Sequence, residues 1–447
     1  MKVIKIGGSI QKDEKDYELI LEKLRKEIDN NDKNIIVTSA IKNVTNQLLE
    51  IIKNMDKSMD IITDIYDKHI RLLSKLSNGI EFEKTFKEIS KLSDELYKIA
   101  WSIRVIDEVT PKVKDYILSF GERFAVALLS AFLRSNGISA TYISEPILVT
   151  DENFGEANVL FSQSKENLLK KIDGIKENVI IVPGFIGKSM NNKYTTIGRG
   201  GSDYSATVIG KILGVKEVKL ITEVPGIMTA DPKKIPEAKT IPRLSLEEAI
   251  ELSQLGAKKL HPRTFDPIFN TDIKVVIEGL YEEGSTVIEG SCTKEDTLKG
   301  IATKNNLELI TIESTNIVGK IGSAAAIMSE ARNANVNIIA ISQPVSETVI
   351  QLVIDSEDKN RLMERLTKLS DLIEDIQSRR VSAISIVGCG LRNKEISSKV
   401  ISKASPFDPL FISRGLKGVS LTFIVDEKDE NGLAKELHEA VLEWQTK

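Results

Sequence analysis

The run Gly198-Arg199-Gly200-Gly201-Ser202-Asp203 combines three glycines with one arginine and one aspartate in six residues. Glycine adopts positive φ readily and lets backbone N–H groups approach anionic oxygens closely. Arg199 offers a planar fork to a carboxylate, and Asp203 offers the negative charge that an ammonium group needs. The small residues of 204–210 predict a helix, which would place the glycine turn at a helix N-terminus that favours anions. The run therefore favours an amino-acid substrate beside a nucleotide, although such a turn on its own also fits a purely structural role.

A second glycine turn lies at the beginning of the chain. The alternating residues Lys2–Ile6 predict a strand that leads directly into Gly7, Gly8 and Ser9, with Lys5 two residues before the glycines. The Walker pattern G-x-x-x-x-G-K-[ST] does not occur, so this turn is not a P-loop. Taken alone, the lysine also fits a surface position on an edge strand.

Strand-like runs alternate with helical patterns in the first part of the chain, and this alternation is typical of α/β folds. Residues 56–105 show helical spacing only and predict a helical excursion from the sheet. The strand-like runs are Val3–Ile6, Ile35–Thr38, Val179–Val182, Val218–Thr222 and Val275–Ile277.

Length, charge and cysteine content limit the class of protein. The chain has 447 residues, of which 41% are apolar, and this predicts two or three domains with ordinary cores. The net charge is −4, with basic and acidic residues interspersed, which indicates small-molecule partners rather than nucleic acid. Cys292 and Cys389 stand far apart in the sequence, so neither a disulfide framework nor a zinc site is indicated.

The chain shows no targeting segment. It enters a strand at once, and no run approaches the roughly 18 apolar residues of a membrane span. We therefore expect a protein of the reducing cytoplasm that has no leader and does not cross a membrane.

A sequence repeat follows residue 295. Ile341–Asp355 aligns without a gap to Ile412–Asp426, at a constant offset of 71 residues. A glycine turn and a helical pattern precede each copy, and a second helical pattern follows, so two βαββα-like copies form a pair of about 150 residues. The predicted boundaries are 1–295 for the first domain and 300–447 for the pair. Repeat 1 covers about 312–380, and repeat 2 covers about 381–447 plus a strand at about 300–311.

Three further motifs carry chemistry-bearing residues. Ser119–Arg123 precedes an apolar helix at Phe124–Leu133, where Glu122 also fits a simple helix start. Thr222–Lys233 forms an ordered loop at the carboxyl end of a strand, where nucleotides bind in parallel sheets. Gly256–Pro262 ends a helix, and its lysines also fit a role in neutralising that helix end.

Together, the five motifs resemble those of aspartate kinases, a family with the amino-acid kinase fold and C-terminal ACT domains. The family patterns K-F-G-G-T-S and S-x-G-E correspond to Lys5–Ser9 and Ser119–Glu122, and G-R-G-G-S-D occurs unchanged at Gly198–Asp203. T-D-V-x-G-I-x-x-x-D-P-R corresponds to Thr222–Lys233, and G-A-K-x-L-H-P corresponds to Gly256–Pro262. The resemblance runs nearly end to end. It implies an αβα sandwich with a mainly parallel central sheet, followed by tandem βαββαβ ACT domains.

The resemblance implies ATP-dependent phosphorylation of the L-aspartate side chain to 4-phospho-L-aspartate, the first step of lysine, threonine and methionine biosynthesis. Transfer to a carboxylate needs no strong base, because the nucleophile is already ionised. The implied catalytic residues are Lys5 and Asp203, and the implied substrate pocket is Ser39, Thr45, Glu122, Arg199, Ser202 and Asp203. The implied ATP site is Lys5, Gly7, Gly8, Ser9, Thr222, Glu223, Met228, Lys233 and Lys258. Mg²⁺ is expected to enter with ATP, and no all-protein metal site is expected.

Three positions depart from the family pattern, and all lie on the nucleotide side. Glu223 replaces the usual aspartate, Met228 replaces a frequent tyrosine, and Lys233 replaces an arginine. Lysine cannot form a bidentate phosphate fork, so the nucleotide preference stays open. Alternative functions are another amino-acid kinase, acting on acetylglutamate, glutamate or UMP, and a catalytically inactive ACT-type amino-acid sensor.

The first repeat is the expected effector site. The alignment sets an amide, a hydroxyl and a carboxylate in the first copy against two cations and a glycine in the second. The aligned residues are Gln343, Ser346 and Glu347 in the first copy and Arg414, Lys417 and Gly418 in the second. The first set resembles threonine-responsive aspartate kinases, with Asn337 and the turn 319–322 as expected neighbours. Threonine is therefore the expected inhibitor. Three alternatives remain: lysine is the effector, the protein has no effector, or Gln343 and Ser346 only cap a strand turn.

The repeats also bear on assembly. ACT domains of this family commonly pair edge to edge, and the apolar runs Val349–Ile354 and Ser420–Val425 would need shielding in a monomer. We expect at least a homodimer formed through the repeats. The length after the second repeat leaves no room for a fused homoserine dehydrogenase, so a monofunctional kinase is expected.

Overall fold

The computed structural model of the protein describes residues 1–28, 32–255, 261–292 and 297–445. The chain folds into two units. Unit 1 consists of Met1–Ile227, Thr240–Leu246 and Lys259–Gly290. Unit 2 consists of Met228–Lys239, Glu247–Lys258 and Ser291–Lys447, so two segments from the first part of the sequence belong to the C-terminal unit.

Helices and strands alternate along the first part of the chain. In order they are β1 (Lys2–Ile6), α1 (Glu14–Glu27), β2 (Asn34–Thr38), α2 (Val44–Lys53), α3 (Ser58–Leu76), α4 (Gly79–Ile106), α5 (Pro111–Ser135), β3 (Ala140–Tyr142), β4 (Leu148–Thr150), α6 (Phe161–Ile172), β5 (Val179–Pro183), β6 (Ile186–Ser189), β7 (Tyr194–Thr196), α7 (Gly201–Leu213), β8 (Glu217–Thr222), β9 (Arg243–Leu244), α8 (Leu246–Leu255), β10 (Lys274–Gly279) and β11 (Ser285–Ile288).

The central sheet of unit 1 has eight strands in the order β3-β5-β2-β1-β8-β10-β11-β9. Among its described strand pairs, only β10 and β11 run antiparallel. The inner strands β2 and β5 are buried along their whole length, as expected for a sheet covered on both faces. The predicted α/β fold with a mainly parallel sheet is therefore confirmed.

The two faces of β1 have different surroundings. Ile4 and Ile6 lie in the core cluster that includes Tyr17 of α1 and Phe124 of α5. Because side chains alternate along a strand, Lys5 points to the opposite face. Helix α7 packs on β1 there, and its Asp203 meets Lys5.

Helices α3 and α4 pack with α5 around buried leucines and isoleucines and form the predicted helical excursion. The prediction that Ser119–Arg123 precedes a helix is wrong, because α5 begins at Pro111. The Thr110 hydroxyl accepts a hydrogen bond from the Val113 N–H at 3.3 Å, and proline suits the first helical position. Glu122 therefore lies in the middle of a helix.

By length and composition, α5 is apolar enough to span a membrane. This differs from the expectation that no run approaches such a span. However, 89% of its most apolar 18-residue window is buried within the described protein, which is the environment of a core helix.

Unit 2 contains one antiparallel sheet of six described strands in the order β13-β14-β12-β15-β17-β16. The elements after residue 297 are β12 (Gly300–Glu313), α9 (Ser323–Asn333), β13 (Ile338–Ser342), β14 (Val349–Asp355), α10 (Lys359–Leu366), β15 (Asp375–Val387), α11 (Lys394–Ala404), β16 (Phe411–Arg414), β17 (Ser420–Asp426) and α12 (Glu430–Gln445).

The 71-residue offset of the sequence repeat is also the offset of the structural elements. Helix α9 spans Ser323–Asn333 and α11 spans Lys394–Ala404, so both ends differ by 71 residues. Strands β14 and β17 have the same offset at both ends. Even the backbone turn is repeated, with a positive φ of 56° at Glu347 and 72° at Gly418.

The strands that were expected to need shielding, β14 and β17, lie inside the sheet of unit 2. Strands β13 and β16 are its edges instead. Ile341 of β13 is 53% exposed and Ile412 of β16 is 42% exposed. The apolar surface available for pairing with another subunit is therefore at these edges, not at Val349–Ile354 or Ser420–Val425.

Cys292 and Cys389 lie side by side, contrary to the expectation from their distance in the sequence. Their Cα atoms are 5.8 Å apart, and their sulfur atoms form a disulfide that closes a separation of 97 residues. The Cys292 N–H donates to Glu247 at 3.1 Å, and the Cys389 N–H donates to Glu248 at 2.9 Å. The start of α8 therefore holds both cysteine backbones, which no local cysteine spacing could indicate.

Candidate active site

A cavity of about 420 Å³ lies at the carboxyl ends of β1 and β2. Ligands bind at this edge of open parallel sheets because the loops diverge there. The turn after β1, the segment 39–46 after β2 and the beginning of α7 form its walls. Nine predicted site residues line it: Lys5, Gly8, Ser9, Ser39, Thr45, Glu122, Arg199, Ser202 and Asp203.

Glycines allow the walls of the cavity to approach each other. Gly200 has a φ of 72° and caps the N-terminus of α7. A Cβ atom on Gly200 would overlap the His261 side chain, and one on Gly8 would overlap the carbonyl oxygen of Ala40. The N-terminus of α7 thus borders the cavity directly, where its dipole favours anions.

Lys5 and Asp203 form an ion pair in the cavity wall. The Lys5 Nζ atom lies 2.6 Å from Asp203 Oδ1, and the two side chains are only 11% and 10% exposed. Strand β1 supplies the lysine and the first turn of α7 supplies the aspartate. The pair offsets the desolvation cost of two buried charges, and a bound anion would compete with Asp203 for the lysine.

Glu122 presents an unsatisfied carboxylate oxygen. Its side chain is 2% exposed. Its Oε1 atom accepts a hydrogen bond from the Ala40 N–H at 3.1 Å, whereas Oε2 is buried without a partner among the described residues. Burial raises the pKa of Glu122 to about 8, because the charged form loses its hydration. A cationic group bound at Oε2 would satisfy this oxygen and favour the ionised carboxylate.

Two residues outside the predicted set support this geometry. Gly121 lets α5 approach the loop after β2, since a Cβ atom there would come within 2.8 Å of the Ala40 Cβ. Gln11 is fully buried, and its Nε2 lies within 3.3 Å of the Gly7 carbonyl oxygen and 3.2 Å of the Ser39 carbonyl oxygen. Gln11 therefore ties the turn after β1 to the end of β2.

Two further cations line the cavity. Arg199 and Lys42 are exposed, and neither side chain forms a hydrogen bond or ion pair with another described residue. Lys42 and Phe185 were not predicted as site residues. Lys42 lies four residues after the end of the buried strand β2, close to Ser39. A cation just after the carboxyl end of a buried strand is the signal that could have identified it. No comparable signal indicates Phe185, because its place in the cavity wall goes with an unusual positive φ of 63° that the sequence does not indicate.

Among the described residues that were predicted to bind ATP, Lys5, Gly8 and Ser9 line this cavity. Gly7 and Thr222 belong to unit 1 but do not line the cavity, and the same holds for Glu223. Met228 and Lys233 belong to unit 2. Lys258 lies outside the described residues. Their roles toward ATP stay predictions.

Three predicted effector residues, Gln343, Ser346 and Glu347, lie in the loop between β13 and β14, whereas Asn337 directly precedes β13. Glu347 Oε2 accepts a hydrogen bond from the Gly319 N–H at 2.8 Å, which joins the loop to the turn 319–322. Ser346 Oγ lies 3.0 Å from Thr348 Oγ1. Gln343 and Asn337 are exposed.

The chain matches two family models. The amino acid kinase family model matches residues 1–279, which is more than half of the chain, and an ACT domain model matches residues 310–368.

Curated relatives match nearly the whole chain. Aspartokinase 2 of Arabidopsis thaliana is 29% identical over 438 residues, which cover 92% of this chain and 78% of that protein. The bifunctional aspartokinase/homoserine dehydrogenase of Buchnera aphidicola is 28% identical over 459 residues, which cover 98% of this chain and 56% of that protein. The chain thus spans about half the length of the bifunctional relatives that it matches.

Two solved structures share the fold. Escherichia coli aspartokinase III in complex with aspartate and ADP (R-state) is similar with a TM-score of 0.85 and 24% identity, covering 99% of this chain and 100% of that chain. Its complex with lysine and aspartate (T-state) has a TM-score of 0.80 and 24% identity, with 99% of each chain covered. The chain therefore belongs to the amino acid kinase family, carries a C-terminal ACT-type region, and resembles aspartokinases over nearly its whole length.

Proposed function

We propose that the protein is an aspartate kinase, which transfers the γ-phosphoryl group of ATP to the side-chain carboxylate of L-aspartate. The observation that carries this function is the unpartnered Oε2 atom of Glu122, in a cavity that Arg199 and Lys5 also line. A free aspartate has one ammonium group and two carboxylates, so its charges are complementary to these three residues. The aspartokinase activity named for the relatives supports the same substrate.

The contacts of aspartate follow from the cavity charges. Its α-ammonium group would bind Glu122 Oε2, while the Ala40 N–H holds the other oxygen in place. Arg199, which lacks a partner among the described residues, would bind the α-carboxylate with its planar fork. Ser39 and Thr45 would donate hydrogen bonds to the carboxylates. The side-chain carboxylate would then lie toward Lys5.

Phosphoryl transfer requires two anions to approach each other in line. The Lys5 ammonium group would neutralise charge on the transferring group, while Asp203 holds the lysine in position from the first turn of α7. The N–H groups at the beginning of α7 and in the turn at Gly8 would bind phosphate oxygens. Removal of one such electrostatic group costs about 10²- to 10³-fold in turnover.

Mg²⁺ would enter with ATP. The oxygen donors of the cavity wall, which are Asp203 and the hydroxyls of Ser9 and Ser202, fit a hard cation that keeps several water and phosphate ligands. When bound, the ion neutralises phosphate charge.

Threonine is the proposed feedback inhibitor, and the first repeat is its proposed site. Glu347 closes the loop of this repeat onto the N–H of Gly319, and the polar groups of Gln343 and Ser346 lie on the same loop. These amide, hydroxyl and carboxylate groups suit a small zwitterion. Lysine is the alternative, because the E. coli aspartokinase III complex in the T-state contains lysine.

The second repeat supports a single effector site. Its Arg414 Nη2 donates to the Leu391 carbonyl oxygen at 2.6 Å. Leu391 is the repeat equivalent of Lys320, which lies in the turn 319–322 that Glu347 contacts in the first copy. A Cβ atom on Gly418 would meet Arg414 Nε at 3.1 Å, so a side chain comparable to Glu347 has little space there. The arginine would therefore compete with an effector at the equivalent position of the second repeat.

Substrate comparison tests the proposed activity. ADP release is measured with Mg²⁺–ATP and equal concentrations of L-aspartate, L-glutamate or N-acetyl-L-aspartate. We expect release with L-aspartate and none with N-acetyl-L-aspartate, because Glu122 requires a free ammonium group. L-glutamate keeps this group but is one methylene longer, so its side-chain carboxylate should be misplaced relative to Lys5 and its release should be slower. Faster release with the acetylated compound would identify a kinase of acylated substrates. Threonine binding without any ADP release would identify a sensor.

A further inference from the structure

Cys292, Cys389 and Glu248 come together at the beginning of α8. The two sulfur atoms and a carboxylate oxygen of Glu248 all lie within 4.8 Å of one another. Cys389 is 7% exposed and Glu248 is 1% exposed, whereas Cys292 is partly exposed. All three residues belong to unit 2, whereas the residues that line the cavity belong to unit 1. The cluster is therefore not part of the cavity assigned to aspartate.

Contacts other than the disulfide hold the backbone around both cysteines. The cysteine N–H groups donate to Glu247 and Glu248 at the beginning of α8. The N–H of Gly390, next to Cys389, donates to the Thr297 carbonyl oxygen at 2.9 Å. The two cysteine side chains would therefore stay adjacent after reduction of the disulfide.

The three side chains form a donor set that suits Zn²⁺. Thiolate sulfur and carboxylate oxygen both bind this ion, whose bonds to sulfur are about 2.3 Å long and whose sites are usually tetrahedral. Ligands with this geometry lie roughly 3.5–4 Å apart, which is within the 4.8 Å spread of the cluster. An ionised carboxylate has about four acceptor positions, so Glu248 can accept the Cys389 N–H and still bind a metal. Two thiolates and a carboxylate together need a cation when they are buried.

The charged neighbours of the cluster are compatible with a bound cation. Lys417 pairs with Glu247 at 2.7 Å, which offsets its charge. Arg392 donates from Nε to the Lys417 carbonyl oxygen at 3.1 Å, and its Nη1 lies 3.4 Å from the Cys292 carbonyl oxygen. Because the Arg392 side chain is exposed, solvent and salt screen its charge.

We propose that Cys292, Cys389 and Glu248 form a Zn²⁺ site when the disulfide is reduced. A dithiol reductant supplies two electrons and two protons, so the S–S bond breaks, two thiols form and the reductant becomes a disulfide. Zn²⁺ then binds both sulfur atoms and Glu248, and the two thiol protons pass to solvent. A water molecule completes the tetrahedron. The ion thus replaces the disulfide as the cross-link between two distant segments of unit 2, and this role does not depend on the proposed kinase activity.

Metal binding by the full-length protein tests this site. The protein is reduced with a phosphine, freed of metal and reductant, and compared with the oxidised protein. Zn²⁺ affinity is measured by competition with a chromophoric chelator. Co²⁺ serves as a spectroscopic probe, because thiolate ligands give it a charge-transfer band. The variants are Cys292→Ser and Glu248→Gln, which keeps an acceptor for the Cys389 N–H. Glu251→Gln is the matched control, because Glu251 also lies in α8 and accepts a hydrogen bond from the Leu416 N–H at 2.7 Å.

We expect the reduced protein to bind one Zn²⁺ per chain, to show the Co²⁺ charge-transfer band and to gain Tm on addition of Zn²⁺. The oxidised protein should do none of these. Cys292→Ser and Glu248→Gln should each weaken Zn²⁺ binding by at least the about 10- to 100-fold typical of losing an outer-shell partner, whereas Glu251→Gln should match the wild type. Equal metal binding by the oxidised and reduced proteins, or no charge-transfer band after reduction, would overturn the proposal. Equal Zn²⁺ affinities of Glu248→Gln and Glu251→Gln would also overturn it. Should Cys292→Ser not fold, the comparison of reduced with oxidised wild type gives the same readout.

Discussion

The Nζ atom of Lys5 lies 2.6 Å from Oδ1 of Asp203, so the central sheet and the first turn of α7 meet in an ion pair at the cavity wall. The resemblance implies that Asp203 is a catalytic residue and also part of the substrate pocket. In the structure it pairs with the lysine that would neutralise the transferring phosphoryl group. Glu122, with its unpartnered Oε2, is the better-placed partner for the ammonium group.

Lys5→Ala should lower turnover by about 10²-fold or more, because the charge of the transferring group loses its nearest cation. Asp203→Asn should lower turnover as well as aspartate affinity, since it frees Lys5 from its counter-ion. Steady-state kinetics with both substrates measures these effects. Lys23→Ala is a control, because Lys23 pairs with Glu278 and does not line the cavity. Near-wild-type turnover of Lys5→Ala would exclude the assigned role.

Arg199→Lys should raise the KM for aspartate while the KM for ATP stays nearly constant. Lysine keeps the charge but loses the planar fork, so a bidentate carboxylate contact is weakened by about 10-fold. The same change at Arg243, which is 74% exposed and pairs with Glu289, should leave both KM values unchanged. Equal KM values for wild type and Arg199→Lys would mean that Arg199 contributes charge only.

Glu122→Gln should weaken aspartate binding by about 10-fold or more, because a neutral amide cannot pair with the ammonium group. In the wild type, ammonium binding should displace the proton from Glu122, whose pKa is raised to about 8 by burial. Aspartate affinity should therefore rise with pH between about 6 and 8. Calorimetry in buffers of different ionisation enthalpy should detect proton release at pH 7. An affinity for aspartate that does not change with pH, together with no proton release, would contradict this role.

Ionisation of Glu122 should raise the affinity for aspartate as the pH rises, but it should lower the stability of the folded protein over the same range. The pKa of Glu122 is about 8 in the folded protein and has an ordinary value of 4.5. The folded protein thus holds a proton that the unfolded chain releases, and stability from this group is lost as the pH rises from about 4.5 through 8. Glu122→Gln removes that loss and keeps an acceptor for the Ala40 N–H. Its Tm should therefore exceed that of the wild type at pH 8 by more than at pH 5, and a constant difference would contradict the assigned pKa.

Reduction of the Cys292–Cys389 disulfide should lower the Tm of unit 2. The bond closes a separation of 97 residues, and such a loop constrains the unfolded chain by up to roughly 4–5 kcal/mol. Thiol titration under denaturing conditions should find no free thiol before reduction and two afterwards. Cys292→Ser should match the reduced wild type and should not respond to reductant. Two free thiols before reduction would contradict the disulfide and fit the reducing cytoplasm expected from the sequence.

Gln343→Ala and Glu347→Ala should relieve inhibition by threonine without changing turnover in its absence. A typical coupling free energy of about 1–3 kcal/mol corresponds to a clear shift of the inhibition curve. Arg414→Ala, at the corresponding position of the second repeat, should leave the inhibition intact. Threonine binding that survives Gln343→Ala but is lost in Arg414→Ala would reverse the assignment of the two repeats. Inhibition by lysine instead of threonine would identify the alternative effector.

Local patterns predicted the sheet and the repeat well. Buried valine and isoleucine runs mark β1, β2 and β5 because strands covered on both faces need apolar residues throughout. The 71-residue offset predicted corresponding elements because each copy forms the same supersecondary unit. By contrast, the start of α5 was missed because its signal, Thr110 before Pro111, lies well ahead of the motif at Glu122.

Contacts between distant segments could not be predicted. The Lys5–Asp203 pair depends on the packing of α7 on β1. The Cys292–Cys389 bond depends on how separate segments of unit 2 meet at the beginning of α8. Nothing in the local sequence indicates that Thr229 contacts His438. The motifs predicted several of the residues that line the cavity, but the partner of each charge became apparent only from the three-dimensional structure.

Trapping of the acyl phosphate with hydroxylamine tests the central claim most directly. The protein is incubated with Mg²⁺–ATP, L-aspartate and hydroxylamine, and the hydroxamate is measured together with ADP. We predict aspartyl 4-hydroxamate in a 1:1 ratio to ADP, none without aspartate, and a loss of about 10²-fold or more in Lys5→Ala. ADP release without hydroxamate, or hydroxamate formation that does not depend on Lys5, would contradict the proposed transfer to the aspartate side chain.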